Sequence, residues 1–295
     1  MTDIDFDISA TQKTVKVIHY SQRGEKNKID LQKDDFAFIT LGSMVEGSSI
    51  GSMTTPAALN TNIETGAWAL WKNIAKTHPD FGRPGIFCGQ VDLSKWMSFT
   101  VTLKDPTFFN HMEKFTGNVA GTGGLVTLTD SSWHISVVLA WQPHFINQPD
   151  DVFVFWGDGL LPDNKGDFVG KKMSECTGEE ILIELFSHLG ILDKMSPLMD
   201  KMSCIPCMMP YINSQFMPRS MGDRPLVVPD GSTNFAFLCQ FVEVPDDCVF
   251  TVEYSVRTAQ MAVFSLLDLD KQATPVYEGS HDLNVLLDAL KAVNR

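Results

Sequence analysis

The sequence has 295 residues, a formal net charge of −13 and a pI of about 4.9. Hydrophobic residues make up 44% and charged residues 20% of it, which is the composition of a globular protein and argues against a disordered chain. The acidic balance argues against a nucleic-acid partner, because phosphate backbones bind basic surfaces.

The N-terminal segment MTDIDFDISATQK lacks the basic n-region and the apolar h-region of a signal peptide. No apolar run reaches the length of about 18 residues that a spanning helix needs. The six cysteines show none of the spacing of a secreted disulfide framework. We therefore expect a cytoplasmic protein with reduced thiols.

The first elements are two β-strands and a helix. Residues 14–20 (TVKVIHY) alternate in polarity and residues 36–41 (FAFITL) form an apolar run, as strands do, and the charged segment QRGEKNK between them is interpreted as a turn. A helix is predicted from Thr65 to Lys76, where Trp68, Trp71 and Ile74 share one face.

The middle of the chain is predicted to be mostly β. Strands are expected at residues 97–103, 124–130, 134–140 and 152–157, with a helix at residues 107–115. A further helix begins after the N-cap residue Thr177 and ends near Gly190. The Met- and Pro-rich residues 193–222 show no clear element; they either wrap a groove or pack irregularly.

The C-terminal part predicts one strand–loop–helix unit. NFAFLCQF (234–241) is typical of a buried strand, VPDD (244–247) of a loop, and residues 250–267 of a helix. A short amphipathic helix is predicted at residues 283–293. Two placements stay open for it: docking on its own domain, which is the commoner outcome, or contact with a membrane surface.

Motifs of self-contained chemistry are missing from the sequence. Cys204 and Cys207 form a lone CxxC pair, whereas structural zinc needs four ligands, so we predict no metal site. The glycines of GTGG (121–124) precede a predicted strand instead of a helix, which indicates a turn and no phosphate loop. His144 stands among apolar neighbours in WQPHF, the usual setting of a structural histidine.

Several strings nevertheless resemble one family, the oleate hydratases, also named for the myosin-cross-reactive antigen. The strings are QPHFINQP (142–149), ECTGEE (175–180), SQFMPR (214–219), GDRP (222–225), NFAF (234–237) and FTVEYSVR (250–257). Together with shorter matches they cover most of residues 35–290 and correspond to the C-terminal half of the family.

The resemblance implies a hydro-lyase that binds FAD and adds water to the cis-9 double bond of unsaturated fatty acids, giving 10-hydroxy acids. The flavin has a structural or allosteric role in this family, since hydration transfers no net electrons. The Rossmann glycines, the water-activating glutamate and the proton-donating tyrosine belong to the N-terminal half. No catalytic residue is therefore expected on this chain, which is a fragment, a truncated product or one half of a split protein.

The fold implied is a mixed α/β one: a partial, Rossmann-like FAD-binding domain, an inserted mixed β-sheet domain for the substrate, and C-terminal helices. Residues 1–60 are assigned to the partial FAD-binding domain and 61–222 to the fatty-acid domain. Residues 223–270 supply the returning strand and helix of the FAD-binding domain, and residues 271–295 form a C-terminal helical segment.

The resemblance also carries the site residues. Cofactor contacts are expected from Ser43, Asn234, Gln240, Phe241, Glu243, Thr251, Val252 and Glu253. The helix that begins near Thr251 would direct its N–H groups at the electron-rich edge of the flavin. Gln142 and His144 are expected to contact the substrate. Two departures from the family stand out: Cys239 occupies a position that is usually glycine, and Asp158 replaces a common aromatic residue.

The expected partners are an unsaturated fatty acid (oleate or linoleate), FAD, and either a complementary N-terminal half or a second copy in a homodimer, with peripheral membrane contact as a further option. Two functions of different classes stay open. The chain is either part of a hydratase that acts only with the other half, or a non-catalytic fragment that binds fatty acid or flavin or regulates full-length relatives.

Overall fold

The computed structural model of the chain describes residues 1–245 and 247–294, and it confirms a mixed α/β fold. Within these ranges the strands are β1 (Asp3–Ile8), β2 (Lys13–Gln22), β3 (Glu25–Asp30), β4 (Ala37–Thr40), β5 (Ser49–Ile50), β6 (Trp96–Leu103), β7 (Val126–Thr127), β8 (Ile135–Val138), β9 (Phe153–Gly159), β10 (Met202–Met209) and β11 (Phe235–Leu238). The helices are α1 (Gly66–Ile74), α2 (Gly85–Cys88), α3 (Val91–Ser94), α4 (Thr107–Thr116), α5 (Gly178–His188), α6 (Leu192–Met195), α7 (Val252–Leu266) and α8 (Leu283–Val293).

Two compact units divide the chain. The first combines residues 1–42 and 67–84 with the described residues from 219 onward, and the second combines residues 43–66 and 85–218. The assignment of flavin binding and substrate binding to particular segments stays a prediction. Asp246 of the predicted VPDD loop and Arg295 of the predicted C-terminal segment lie outside the described residues.

In the first unit, β1, β2 and β3 form an antiparallel sheet. The predicted strand at residues 14–20 is confirmed as β2, but the segment QRGEKNK is more than a turn. Arg23 and Gly24 have positive φ angles of 52° and 84°, and the chain then returns as β3. Positive φ at both central residues is the geometry of a two-residue hairpin. All six residues of β3 are exposed, and the strand pairs with β2 through its backbone.

The same unit contains a two-stranded parallel sheet of β4 and β11, with Ala37 opposite Phe235 and Thr40 opposite Leu238. The predicted strand at residues 36–41 is thereby confirmed. The predicted strand NFAFLCQF ends early, at Leu238, because Cys239 turns to a φ of 73° and begins a 3₁₀ turn. Helix α7 follows, which confirms the order strand, loop, helix.

The core of the first unit is aromatic. The rings of Trp68 and Trp71 on α1 stack at 5.9 Å, and Phe241 packs against both at 4.9 and 5.6 Å. The indole N–H of Trp71 donates to the Phe81 carbonyl at 2.8 Å. The predicted apolar face of α1 is therefore confirmed as a buried one.

The second unit is built on a six-stranded antiparallel sheet in the order β5–β10–β6–β9–β8–β7. The predicted strands at 97–103, 134–140 and 152–157 are confirmed, as is the helix at 107–115, whereas the predicted strand at 124–130 shrinks to β7. The expectation of no regular element in residues 193–222 is wrong, because β10 lies inside the sheet. The strand contains Pro206, which is atypical of an inner strand. The neighbouring strand β5 pairs with the two residues that follow this proline, Cys207 and Met208.

Helix α5 packs on the buried face of this sheet and begins as predicted. The Thr177 hydroxyl accepts the Glu180 N–H, and the Glu180 carboxylate accepts the Thr177 N–H at 3.0 Å, which completes a capping box. Its buried face includes Ile181, Leu185 and Phe186.

Helix α8 buries none of its side chains, so the commoner outcome, docking of its apolar face, is not seen. Leu283, Leu287, Leu290 and Val293 are all exposed along it. Among the described helices, none combines the length and the apolar character needed to cross a membrane.

Candidate functional site

The start of α7 gathers four of the residues predicted to bind a cofactor. Thr251 is the N-cap residue, and its side chain makes no capping hydrogen bond. Gln240, in the 3₁₀ turn after β11, donates from its amide nitrogen to the Thr251 carbonyl at 3.3 Å. Val252 and Glu253 form the first turn and line a cleft of about 290 Å³ with Val256, Arg257, Gln260 and Thr274, which we call the α7 cleft.

Two polar groups at this helix start are relevant to a ligand. The side-chain oxygen of Gln240 is buried and accepts no hydrogen bond from the described residues, although buried polar atoms usually have a partner. Its own backbone N–H and the nearby Thr251 hydroxyl lower the pKa of the Glu253 carboxyl. The site therefore offers an unused acceptor beside a helix N-terminus that already holds one carboxylate.

Phe241 and Gly42 are held by packing. Phe241 is buried in the aromatic core with Trp68 and Trp71. Gly42 has a φ of 60°, and a Cβ there would lie only 2.8 Å from Trp68 and 2.9 Å from Phe241. Aromatic rings therefore fill the space beside the strand end at Gly42.

Asn234 ties β2 to β11. Its amide oxygen accepts the Val15 N–H at 2.9 Å, and its amide nitrogen donates to the Val15 carbonyl at 3.0 Å. These bonds replace the backbone partners of a strand residue, so the side chain of Asn234 has a structural task. Ser43, by contrast, belongs to the second compact unit.

Glu243 lies in a different cleft, of about 300 Å³. This cleft is lined by Pro79, Asp80, Met221, Gly222, Arg224, Leu226, Pro229, Asp230 and Glu243. Both terminal nitrogens of Arg219 donate hydrogen bonds to the buried Glu243 carboxylate, and one of these bonds is 2.8 Å long. Burial lowers the pKa of Arg224, whose side chain also reaches Tyr254. The sequence strings contained Arg219 and Arg224 but gave no signal of this pairing, which joins residues 24 positions apart.

The predicted substrate residues lie in the second unit. Gln142 is saturated: its nitrogen donates to the carbonyls of Ala140 and Val154, and its oxygen accepts from Gln148 and the Val154 N–H. These bonds fix the loop after β8. His144 is exposed, with its ring 5.2 Å from that of Trp156 on β9. Of the two, only His144 has a side chain that can reach a ligand.

A carboxylate–imidazole cluster in the second unit was not anticipated. One ligand atom from each of Asp167, Glu184 and His188 lies within 4.8 Å of the others. The buried Glu184 carboxylate accepts the N–H groups of residues 167, 168 and 169 at 2.6–3.0 Å. Since the carboxylate is satisfied by main-chain donors, the cluster is explained as an anchor for this loop.

Comparison with known proteins identifies a family and two relatives that match most or all of the chain. The model of the MCRA family matches residues 1–264. An oleate hydratase of Streptococcus pyogenes serotype M49 (strain NZ131) is 40% identical over 305 residues, covering 100% of this chain and 51% of that protein. A linoleate hydratase of Lactiplantibacillus plantarum is 32% identical over 295 residues, covering 93% of this chain and 51% of that protein. The chain thus spans about half the length of these relatives.

Proposed function

The chain belongs to the MCRA family, and from this premise we propose that it supplies one half of a flavin-dependent fatty-acid hydratase. The observation that carries the proposal is the 40% identity to an oleate hydratase across 100% of the chain. The reaction is the addition of water to the cis-9 double bond of oleate or linoleate. Because the chain spans 51% of that relative, the activity is proposed for its assembly with the remaining half.

The flavin-binding part of the proposal rests on the start of α7. The parallel pair β4–β11 followed by α7 supports this part of the proposal, because Rossmann-like sheets are built from parallel strands and the helices that follow them. The buried, unused oxygen of Gln240 and the N–H groups at Thr251 and Val252 fit a ligand with mixed donors and acceptors, as a flavin ring is. Bound FAD would shape this site and supply no net redox chemistry to a hydration.

The α7 cleft limits how much of FAD this chain holds by itself. Its volume of about 290 Å³ lies just below the roughly 300–1,000 Å³ of small-molecule pockets. It therefore suits part of a dinucleotide. The phosphate contacts would come from the remaining half, in keeping with the absence of a GxGxxG sequence from the 295 residues.

Substrate contacts are proposed for the second unit. His144 would orient polar groups of the fatty acid, and Gln142 would hold the His144 loop by its four hydrogen bonds. The general acid and base of the hydration are assigned to the remaining half. In this division of labour the chain positions cofactor and substrate, while the partner half moves the protons.

The parallel pair β4–β11 is the proposed docking edge for that half. Parallel strands are normally covered on both faces and belong to larger sheets. Among the described residues β4 pairs only with β11, and Phe36 and Phe38 are about two-fifths exposed at 39% and 41%. A complementary half that adds a strand and a helix here would cover both rings. The exposed apolar face of α8 is a second candidate surface, for the partner half, a second copy or a membrane.

A non-catalytic role in binding fatty acid or regulating full-length relatives is the second candidate. Cys239 favours it, because this residue takes a left-handed backbone conformation beside the proposed flavin site. A side chain at a position suited to glycine would crowd a cofactor that approaches the backbone.

Complementation tests the proposal. The chain and the N-terminal half of a related hydratase are expressed separately and together with FAD, and conversion of oleate to 10-hydroxystearate is measured by mass spectrometry. We expect no turnover by either half and turnover by the pair. Each general acid–base group contributes about 10²–10⁴-fold, so a chain without both should show no measurable rate.

A matched pair of variants locates the docking edge. Phe38→Asp should abolish turnover of the pair by placing a charge on the uncovered face of β4. Ile29→Asp, at a similarly exposed residue of β3, should leave it intact. Turnover by this chain alone would overturn the assignment of the catalytic groups. If the wild-type pair shows no turnover and the pair that carries Cys239→Gly does, the fault lies in the cofactor pocket.

A further inference from the structure

The six-stranded sheet of the second unit has one apolar and one largely polar face. Phe99, Val101 and Phe155 point to the apolar face and belong to the buried core. On the other face, direct cross-strand pairing aligns one side chain from each of five neighbouring strands. These are Cys207 on β10, Ser98 on β6, Asp158 on β9, Ser136 on β8 and Thr127 on β7, which we call the polar row.

Asp158 is the centre of the polar row and its only acidic member. It is half-buried, and no hydrogen bond or charged group among the described residues acts on the pKa of its carboxyl. Its neighbours on both sides are serines, and Ser136 shares a hydrogen bond of 2.9 Å with Thr127. Burial raises the pKa of Asp158 to about 6. Because its oxygens are not fully buried, this carboxylate is an accessible acceptor for a hydrogen-bond donor of a ligand, and such a bond would offset part of its desolvation.

A second row runs beside the first. The next positions on the same face are Ile205 on β10, Thr100 on β6, Trp156 on β9 and Val138 on β8. Same-face residues of one strand lie about 7 Å apart, so an apolar strip with an indole ring borders the carboxylate. Ile205 is 42% exposed, which leaves this strip open to a ligand at the β10 end.

We propose that the polar row binds a hydroxyl group carried on an alkyl chain, with Asp158 accepting its hydrogen bond and the strip around Trp156 contacting the adjacent methylene groups. A carboxylate head group is disfavoured beside Asp158, since two anions repel. An ammonium group is a poorer match, because the serines that flank Asp158 add hydroxyl dipoles and no second negative charge. The identity of the ligand as a hydroxy fatty acid rests on the proposed hydratase function, whose product carries such a group.

Binding measurements on the full chain test this assignment without turnover. The probes are 10-hydroxystearate, stearate and stearylamine, titrated below their micelle-forming concentrations at pH 8 and followed by calorimetry. We expect 10-hydroxystearate to bind about tenfold more tightly than stearate, as one charge-assisted hydrogen bond allows. Asp158→Leu should bring the ratio close to one, and Asp158→Asn, which keeps an acceptor, should retain part of the preference.

Asp151→Asn is the matched control, because it removes an exposed carboxylate from the turn before β9 and should leave the ratio unchanged. Circular dichroism verifies that each variant is folded. Equal binding of the two acids, an unchanged ratio in Asp158→Leu, tighter binding of stearylamine, or no binding of any probe would each overturn the assignment. If 10-hydroxystearate still binds more tightly than stearate but the two halves show no turnover together, only the hydratase proposal is overturned.

Discussion

At the scale of single residues, Cys239 is held in a conformation that suits glycine. Its φ of 73° places it in the left-handed region, which costs an L-residue about 1–2 kcal/mol. We expect Cys239→Gly to raise the free energy of unfolding by about 0.5–1 kcal/mol, since glycine relieves this strain but loses more entropy on folding. Urea unfolding followed by circular dichroism gives the measurement.

Cys239→Ala is the control for that change. It removes the thiol but keeps the Cβ, so the strained backbone remains and no gain in stability should follow. An equal gain in both variants would assign the effect to the thiol instead of the backbone. The backbone N–H of Cys239 donates to the Thr258 hydroxyl at 3.0 Å, and both variants preserve this bond.

Asp158 predicts a dependence of stability on pH. Its pKa of about 6 in the folded chain exceeds the ordinary value of 3.8, so the folded state keeps its proton to higher pH than the unfolded state. Stability therefore falls as pH rises from about 4 through 6. Asp158→Asn should match the wild type near pH 4 and exceed it at pH 7.5 by about 1 kcal/mol, after allowance for solvent screening of a partly exposed group.

Melting temperatures of both proteins across this range test the prediction. Asp151→Asn should follow the wild-type curve, because its carboxylate is exposed. An Asp158→Asn curve that parallels the wild type from pH 4 to 7.5 would show that the Asp158 carboxyl titrates normally.

At the scale of elements, strand geometry places the two cysteines of the CxxC pair on opposite faces of the sheet. Residues three apart on a strand point to opposite faces, and on β10 Cys204 lies in the core while Cys207 lies in the polar row. Burial raises the pKa of both thiols, which opposes the thiolate that a metal needs. Elemental analysis should find well below one zinc per chain. One equivalent of zinc that disappears in Cys204→Ala would contradict this.

The sequence predicted those elements whose signals are local. The capping box at Thr177 and Glu180 and the tryptophan face of α1 depend on residues within one or two helical turns. β3 and β10 were missed because neither shows a conventional pattern: β3 is exposed throughout, and β10 carries Pro206. Pairing with neighbouring strands, which a single stretch of sequence does not reveal, determines both.

The candidate site shows the same limit. Gln240, Thr251, Val252 and Glu253 are close in sequence, so one motif could point to all of them, and the structure brings them together at the start of α7. The bonds that Asn234 makes with Val15 span 219 positions. Its structural task, like the polar row around Asp158, depends on tertiary pairing and was out of reach from the sequence.

At the scale of the whole molecule, each compact unit is assembled from segments that are distant in sequence. The first unit joins the N-terminal strands to β11 and α7, although most of the sequence that separates these elements belongs to the second unit. The proposed flavin site lies within the first unit and depends on the parallel pair β4–β11. Coverage of that pair by a complementary half should therefore affect cofactor binding as well as turnover.

Flavin retention tests this coupling. We expect the chain purified alone to be colourless, because its sequence contains no GxGxxG motif and its α7 cleft of about 290 Å³ is small for a whole dinucleotide. The pair of halves should be yellow, with the absorption bands of an oxidised flavin. Gln240→Leu should weaken FAD binding by the pair about tenfold through loss of one buried hydrogen bond, whereas Gln22→Leu, at an exposed position of β2, should not. Stoichiometric flavin on the lone chain would show that these residues hold FAD without help, and undiminished affinity in Gln240→Leu would remove the α7 start from the site.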